Sequence, residues 1–187
     1  MNIVVFFLIA LGLALNCFGL AIVNSSLSGK VLPRVPLITA ITFALSHLVY
    51  SLVGLLVGGL VVSKVQSIEL VAAFFIVAAV GVKMIWEARK KTHESNVFDI
   101  NDNKVITALS VATGLNALSI GLVAAILAFP FYSLALLVAI PVFALTYFGL
   151  ANGQNLGLQF ASKASSFGGI ILVLVAVFFL LQFFGVW

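Results

Sequence analysis

The sequence predicts an all-α integral membrane protein with six transmembrane helices, arranged as two inverted repeats of three helices. Of the 187 residues, 64% are hydrophobic and only 7% are charged, whereas a soluble domain carries roughly a quarter charged residues. The apolar residues fall in runs of about 20, the number needed to cross the hydrocarbon core as a helix. A similarity between the two halves of the chain predicts the repeat.

The six apolar runs are separated by segments rich in polar residues and turn formers. Each run is long and uninterrupted, unlike the alternating segments of an outer-membrane barrel, so its backbone must form hydrogen bonds within a helix. The third connection is long and charged, and it divides the chain into a first repeat (1–88), a cytoplasmic linker (89–104) and a second repeat (105–187). The predicted spans are Ile3–Val23, Leu37–Val62, Leu70–Ala88, Val105–Phe129, Phe131–Leu150 and Phe167–Trp187.

The basic residues are distributed unevenly over the connections. Of the nine Lys and Arg residues, only Lys64 falls at an even-numbered connection. Because loops rich in Lys and Arg stay in the cytoplasm, the odd-numbered connections are predicted to be cytoplasmic and both termini outside. The net charge of +4 is explained by this topology, and we expect no nucleic-acid partner.

Two pairs of segments carry the internal similarity. The segment LALNCFGLA around Asn16 aligns with TGLNALSIG around Asn116, and SLVGLLVGG from Ser51 aligns with TYFGLANGQ from Thr146. Because each half has an odd number of spans, the second copy enters the membrane from the opposite side. The result is an inverted repeat, which is typical of transporters.

A polar path is predicted near the middle of the membrane. An amide at this depth needs hydrogen-bond partners, so Asn16 and Asn116 should face the bundle interior. Hydroxyl groups recur at helical spacing on the second and fourth spans beside His47, which is either a ligand, a proton carrier or a packing histidine. Hydroxyls also join helices without any solute, and that interpretation stays open. The predicted path consists of Asn16, Thr42, Ser46, His47, Tyr50, Thr113 and Asn116.

Three further residues have structural interpretations. Lys83 and Glu87 are four residues apart, as in an ordinary helical ion pair or a lysine that reaches the headgroups. Cys17 is the only cysteine, so it forms no internal disulfide, and we interpret it as a small buried side chain.

The chain resembles the bacterial manganese efflux pump family, whose members are small six-span proteins of the lysine-exporter-type superfamily. The resemblance covers nearly the whole length. It rests on the opening MNI and on the segments LALNCFGLA, GVKMIWEA, TGLNALSIG, YFGLANG and FGGIILVLVAV, in that order. It implies a multi-pass protein of the bacterial cytoplasmic (inner) membrane.

The chain departs from the family pattern at the ligand positions that the resemblance implies. Family members carry aspartates at the positions of Asn16 and Asn116 and a glutamate at that of His47, which supply anionic oxygen ligands. The resemblance therefore implies a metal set of Asn16, His47 and Asn116 that is formally neutral. Manganese prefers hard oxygen ligands, so we expect a neutral site to hold it more weakly.

Two functions follow from these observations. The first is export of manganese or another divalent cation, with a different small polar solute as an alternative cargo; the second is a non-transporting relative that acts as a membrane scaffold. An enzyme is not expected, since neither a nucleophile with its base nor an HExxH motif occurs in the sequence. The sequence also lacks the GxxxxGK[ST] motif of an ATP-binding loop. We expect no cofactor apart from manganese as a substrate; the expected partners are the lipid bilayer, the solute and, as one alternative, a second copy of the chain.

Overall fold

The computed structural model describes residues 3–28, 31–65, 68–90 and 100–185. Within these ranges the chain forms helices and no strand, and each of the five helices is long and apolar enough to cross a membrane. Residues 91–99 of the predicted linker and 186–187 of the last predicted span lie outside the described residues. The helices are α1 (Ile3–Leu27), α2 (Val35–Val65), α3 (Glu69–Lys90), α4 (Asn103–Ile126) and α5 (Phe131–Phe183).

Large apolar side chains cover the outside of the bundle. Leu60 is 80% exposed, Leu56 66% and Phe75 65%. An apolar surface of this extent suits lipid and not water. Together with the five apolar helices, it confirms the prediction of an all-helical, multi-pass membrane protein.

The predicted connection between the fifth and sixth spans is mostly helical. Residues 151–166, which separate these two predicted spans, are helical apart from Gly157. At Gly157 the backbone has φ 74° and ψ 166°, a conformation that essentially only glycine adopts. The polar residues around it resemble a loop in sequence, yet a single glycine is enough to interrupt the helix.

The chain reverses direction along α1 at this glycine. The first segment of α5, residues 131–156, packs parallel to α1, because later residues of one contact later residues of the other. The second segment, residues 158–183, packs antiparallel to α1. The close contacts that define these directions are Gly149 with Phe18, Gly153 with Ile22, Ala161 with Gly19, and Gly168 with Gly12.

Helices α2 and α4 pack parallel to each other through small residues. Glycines on each helix lie against the backbone of the other, which allows the two axes to approach closely. The contacts along this interface are Ser46 with Ser110, Tyr50 with Gly114, Gly54 with Leu118, and Gly58 with Leu122.

The odd-numbered connections meet at one end of the bundle. Leu32 N–H donates to Asn101 Oδ1 at 3.1 Å, and the Ser162 hydroxyl donates to the carbonyl oxygen of Ala88 at 2.9 Å. At the opposite end, the first turns of α1 meet the connection between α4 and α5, where the Phe6 and Phe129 rings stack with centroids 3.8 Å apart.

Candidate functional site

The two central helices of the bundle each carry one of the predicted asparagines. In the most apolar 18-residue stretch of each helix, 67% of the residues of α1 and 56% of those of α4 are buried inside the protein. The corresponding shares are 22% for α2 and 28% for α3. Asn16 on α1 is 3% exposed and Asn116 on α4 is 4% exposed. Both amides therefore face the protein interior, as the sequence predicts.

The amide of Asn116 is bound to a lysine from the neighbouring helix α3. Lys83 Nζ donates a hydrogen bond to Asn116 Oδ1 at 2.9 Å. The same ammonium lies 3.8 Å from Glu87 Oε1, one helical turn further along α3. Lys83 was interpreted as half of a local ion pair, but the structure also gives it a partner 33 residues away.

The amide oxygen of Asn16 has no hydrogen-bond partner among the residues that the structure describes. Leaving a buried acceptor unpaired costs about 1–3 kcal/mol, and such groups are rare in folded proteins. The two asparagines that align in sequence therefore differ in their bonding: one oxygen holds a lysine ammonium, whereas the other is unpaired.

His47 on α2 connects to α1 through Cys17. The imidazole is 1% exposed; its Nδ1 lies 2.9 Å from the carbonyl oxygen of Phe43, and its Nε2 lies 3.4 Å from Cys17 Sγ. Because a carbonyl oxygen only accepts, Nδ1 must carry a proton and donate. In the neutral ring, Nε2 is then the acceptor nitrogen, the atom through which an imidazole binds a metal.

The predicted hydroxyl groups are mostly engaged by backbone. The Ser46 hydroxyl donates to the carbonyl oxygen of Ser110 at 3.0 Å and joins α2 to α4. Thr42 and Thr113 donate to carbonyls of their own helices, and the Tyr50 ring packs on α4. Of these hydroxyl bonds, only that of Ser46 joins two helices.

No hydrogen bond among the described residues links Asn16, His47 and Asn116 to one another. Their contacts instead form two pairs, Asn116 with Lys83 and His47 with Cys17. Nor does the described part of the chain contain a group of three His, Cys, Asp or Glu side chains that could hold a metal.

Thr146 is a buried polar residue that sequence reasoning did not include in the site. Thr146 is 0% exposed. Like that of Thr39, its hydroxyl oxygen has no hydrogen-bond partner in the described part of the chain. The repeat contained a signal for it, since Thr146 aligns with Ser51, which is also 0% exposed. Gly149, three residues later, contacts Phe18, so Thr146 lies close to the level of Asn16.

A model of the family described as "Putative manganese efflux pump" (Mntp) matches residues 30–180. The chain belongs to this family. The resemblance seen in its sequence segments is thereby confirmed.

Curated relatives in the MntP family match nearly the whole chain. One from Maridesulfovibrio salexigens, named "Putative manganese efflux pump MntP", is 33% identical over 184 residues, covering 94% of this chain and 97% of the relative. Relatives of the same name come from Bacteroides thetaiotaomicron, 29% identical with 94% of each chain covered, and from Methanoregula boonei, 26% identical with 91% of each covered. No solved structure matches the chain.

Proposed function

We propose that the protein exports manganese across the cytoplasmic membrane by alternating access, through a polar site that includes Asn16, His47 and Asn116. The observation that carries the proposal is the unpaired oxygen of Asn16, buried on the most enclosed helix of a chain from a manganese efflux family. A bound cation would satisfy this oxygen.

Six membrane crossings in two inverted repeats account best for the packing. Helix α5 has 53 residues, so its length of about 80 Å is more than twice the hydrocarbon thickness. The reversal at Gly157 makes it two antiparallel crossings. The fifth and sixth crossings are then residues 131–156 and 158–183.

Matched glycine contacts support the inverted repeat. Gly54 on α2 lies against Leu118, two residues after Asn116, and Gly149 on α5 lies against Phe18, two residues after Asn16. One turn later, Gly58 lies against Leu122 and Gly153 against Ile22, six residues after the respective asparagines. The second helix of each half thus packs in the same register on the first helix of the other half.

The charges at one end of the bundle support the proposed orientation. Arg34, Arg89, Lys104 and Lys163 all lie within three residues of the contacts that join the odd-numbered connections. The positive-inside rule places this end in the cytoplasm and both termini outside.

A cavity of about 490 Å³ lies at the proposed cytoplasmic end. Ser25 is on its wall, nine residues from Asn16, which is a depth of about 14 Å along the helix. Between the two levels, α1 and the first segment of α5 are closed by the contacts at Gly149 and Gly153. Cytoplasmic access to Asn16 therefore requires these two helices to separate, as when one repeat rocks against the other.

The ligands explain how a neutral site could bind manganese and why it would bind it weakly. Amide oxygens are hard ligands, and an imidazole nitrogen can also coordinate manganese. Neither ligand is charged, so neither cancels the charge of a divalent ion. The three carboxylates in the described part of the chain, Glu69, Glu87 and Asp102, all lie outside the buried set. We expect the manganese concentration that half-saturates this neutral site to be well above the one that half-saturates a site with carboxylate ligands.

The test is manganese accumulation and sensitivity in bacterial cells that lack their own manganese exporter. The wild type should lower accumulation and restore growth, and changing both Asn16 and Asn116 to Ala should abolish the rescue. Asn152→Ala is the matched control, because the Asn152 amide donates to the Phe148 carbonyl oxygen one turn earlier in its own helix. It should rescue like the wild type.

Two other results would contradict manganese export. If the wild type fails to rescue but the double change of Asn16 and Asn116 to Asp succeeds, the fold is a competent exporter of a different solute. If neither rescues although both reach the membrane, the chain is a non-transporting relative.

A further inference from the structure

The ammonium of Lys83 occupies one of the oxygens that the proposed site would use. Its Nζ lies 2.9 Å from Asn116 Oδ1, a distance typical of a strong, charge-assisted hydrogen bond. Nothing in the described residues holds the corresponding oxygen of Asn16. One of the two asparagines is therefore already bound to a positive charge that belongs to the protein.

We propose that Lys83 is an internal competitor of the transported cation, which can use Asn116 only after the lysine ammonium has left its oxygen. The inference rests on the proposed function and adds to it a residue that sets the affinity of the site. Lys83 sets how high the cation concentration must be before the site is filled.

The competition follows from charge and geometry. An ammonium and a metal cation both seek the lone pairs of an amide oxygen, and the Asn116 oxygen is buried where few other groups screen the charges. A divalent ion beside the bound ammonium would be repelled by it. Binding of the metal at Asn116 and binding of Lys83 at Asn116 are therefore mutually unfavourable.

The Lys83 ammonium has a second partner, the Glu87 carboxylate. Glu87 Oε1 lies only 3.8 Å from its Nζ, and the Lys83 side chain is 45% exposed. Lysine is a point charge on a flexible stem of four carbons, so it can keep the carboxylate while releasing the amide. Glu87 thus provides an anchor that stabilises the released state.

The different bonding of the two asparagines gives an order of events. The Asn16 oxygen can receive a cation without displacing any hydrogen-bond partner in the described residues. Asn116 joins afterwards, when Lys83 moves toward Glu87. Binding is then coupled to a movement of the Lys83 side chain at the contact between α3 and α4.

The experiment measures manganese binding and manganese export separately. Binding to the purified full-length protein in lipid nanodiscs is followed by the loss of the free Mn²⁺ paramagnetic resonance signal, and export is measured in the exporter-deficient cells. Lys83→Met should lower the dissociation constant for manganese at least tenfold. Lys83→Arg keeps the positive charge and should bind as weakly as the wild type.

Lys90→Met is the matched control, because Lys90 is on the same helix but lies over the Trp86 ring at 3.8 Å. It should leave the dissociation constant unchanged. Lys83→Gln is a second neutral variant that keeps a donor for Asn116, and it should also tighten binding if Lys83→Met folds poorly.

Two further variants separate competition from a general charge effect. In an Asn116→Ala background, the gain from Lys83→Met should disappear, because no oxygen is left to compete for. Glu87→Gln removes the anchor of the released state and should weaken manganese binding. If Lys83→Met still tightens manganese binding by the same factor in the Asn116→Ala background, competition at the Asn116 oxygen is wrong.

The outcomes for the two proposals differ. If the wild type exports manganese and Lys83→Met binds it no more tightly, the inference is wrong and the proposed function stands. If the wild type does not export, yet Lys83→Met gains manganese binding that depends on Asn116, the inference stands and native manganese export is wrong. Absence of binding in the wild type and in both neutral Lys83 variants would overturn both.

Discussion

Replacing Gly54 by Ala should separate the two helices that carry His47 and Asn116. A Cβ atom at Gly54 would point into the backbone of α4, within 2.9 Å of both the Leu118 carbonyl carbon and the Leu122 nitrogen. Backbone atoms of a packed helix cannot turn aside as a side chain can. The helices must move apart to accept the added methyl group.

The cost can be worked from these distances. Carbon atoms pack best at about 3.5–4.0 Å, so the helices must separate by at least about 0.6 Å, and by more at the Leu118 carbonyl oxygen, which the Cβ would overlap. A gap of that size forfeits a quarter or more of the dispersion energy of neighbouring contacts. Overpacking of this kind typically costs about 1–3 kcal/mol. For a chain of this size, that corresponds to roughly 2–12 °C in the unfolding midpoint.

Gly59→Ala is the matched control on the same helix. A Cβ at Gly59 meets nothing within 4 Å, and alanine is about 1 kcal/mol more favourable than glycine in a helix. The control should therefore unfold at the same temperature as the wild type or slightly above it, whereas Gly54→Ala should unfold below it.

The assay is thermal unfolding of the purified protein in detergent, followed by the fraction that stays monodisperse after heating. Equal midpoints for Gly54→Ala and Gly59→Ala would refute the close approach of α2 and α4 at this level. The same result would remove one of the matched contacts that support the inverted repeat.

Three other predictions test separate features of the site and fold. Asn16→Ala should leave the unfolding midpoint unchanged or raise it, because it removes an unpaired buried acceptor. Manganese export should fall at least tenfold. A lower unfolding midpoint would show that the amide has a structural partner. Ser46→Ala should cost about 0.6–1.5 kcal/mol of unfolding free energy, because it removes a bond between helices, and Thr42→Ala, whose bond is within its own helix, should cost less than half of that in the same melt. Gly157→Ala should cost about 1–3 kcal/mol through backbone strain alone, since no atom lies near its Cβ position; a neutral result would contradict the positive φ.

The sequence alone determined the class of protein and the depth of its key amides. Composition and the length of apolar runs act locally, because each helix must satisfy its backbone hydrogen bonds within itself in lipid. The burial of Asn16 and Asn116 followed from the cost of an amide in hydrocarbon, and both are buried in the structure. The family was also recognisable, because its sequence segments kept their order along the chain.

The break in α5 was not predictable in the same way. The segment around Gly157 is rich in Asn, Gln, Gly and Ser, residues that favour turns in general. At the end of a membrane helix, however, polar side chains can reach water while the backbone stays helical. The position of the reversal was decided by one positive φ and by the packing of both segments on α1.

Only the tertiary structure decided which polar groups are paired. Sequence spacing offered Lys83 a partner four residues away in Glu87, and that pair is present at 3.8 Å. The stronger contact, with Asn116, joins residues 33 positions apart and depends on how α3 packs beside α4. The unpaired oxygen of Asn16 has the same origin, because a missing partner is a property of the whole bundle and leaves no trace in the local sequence.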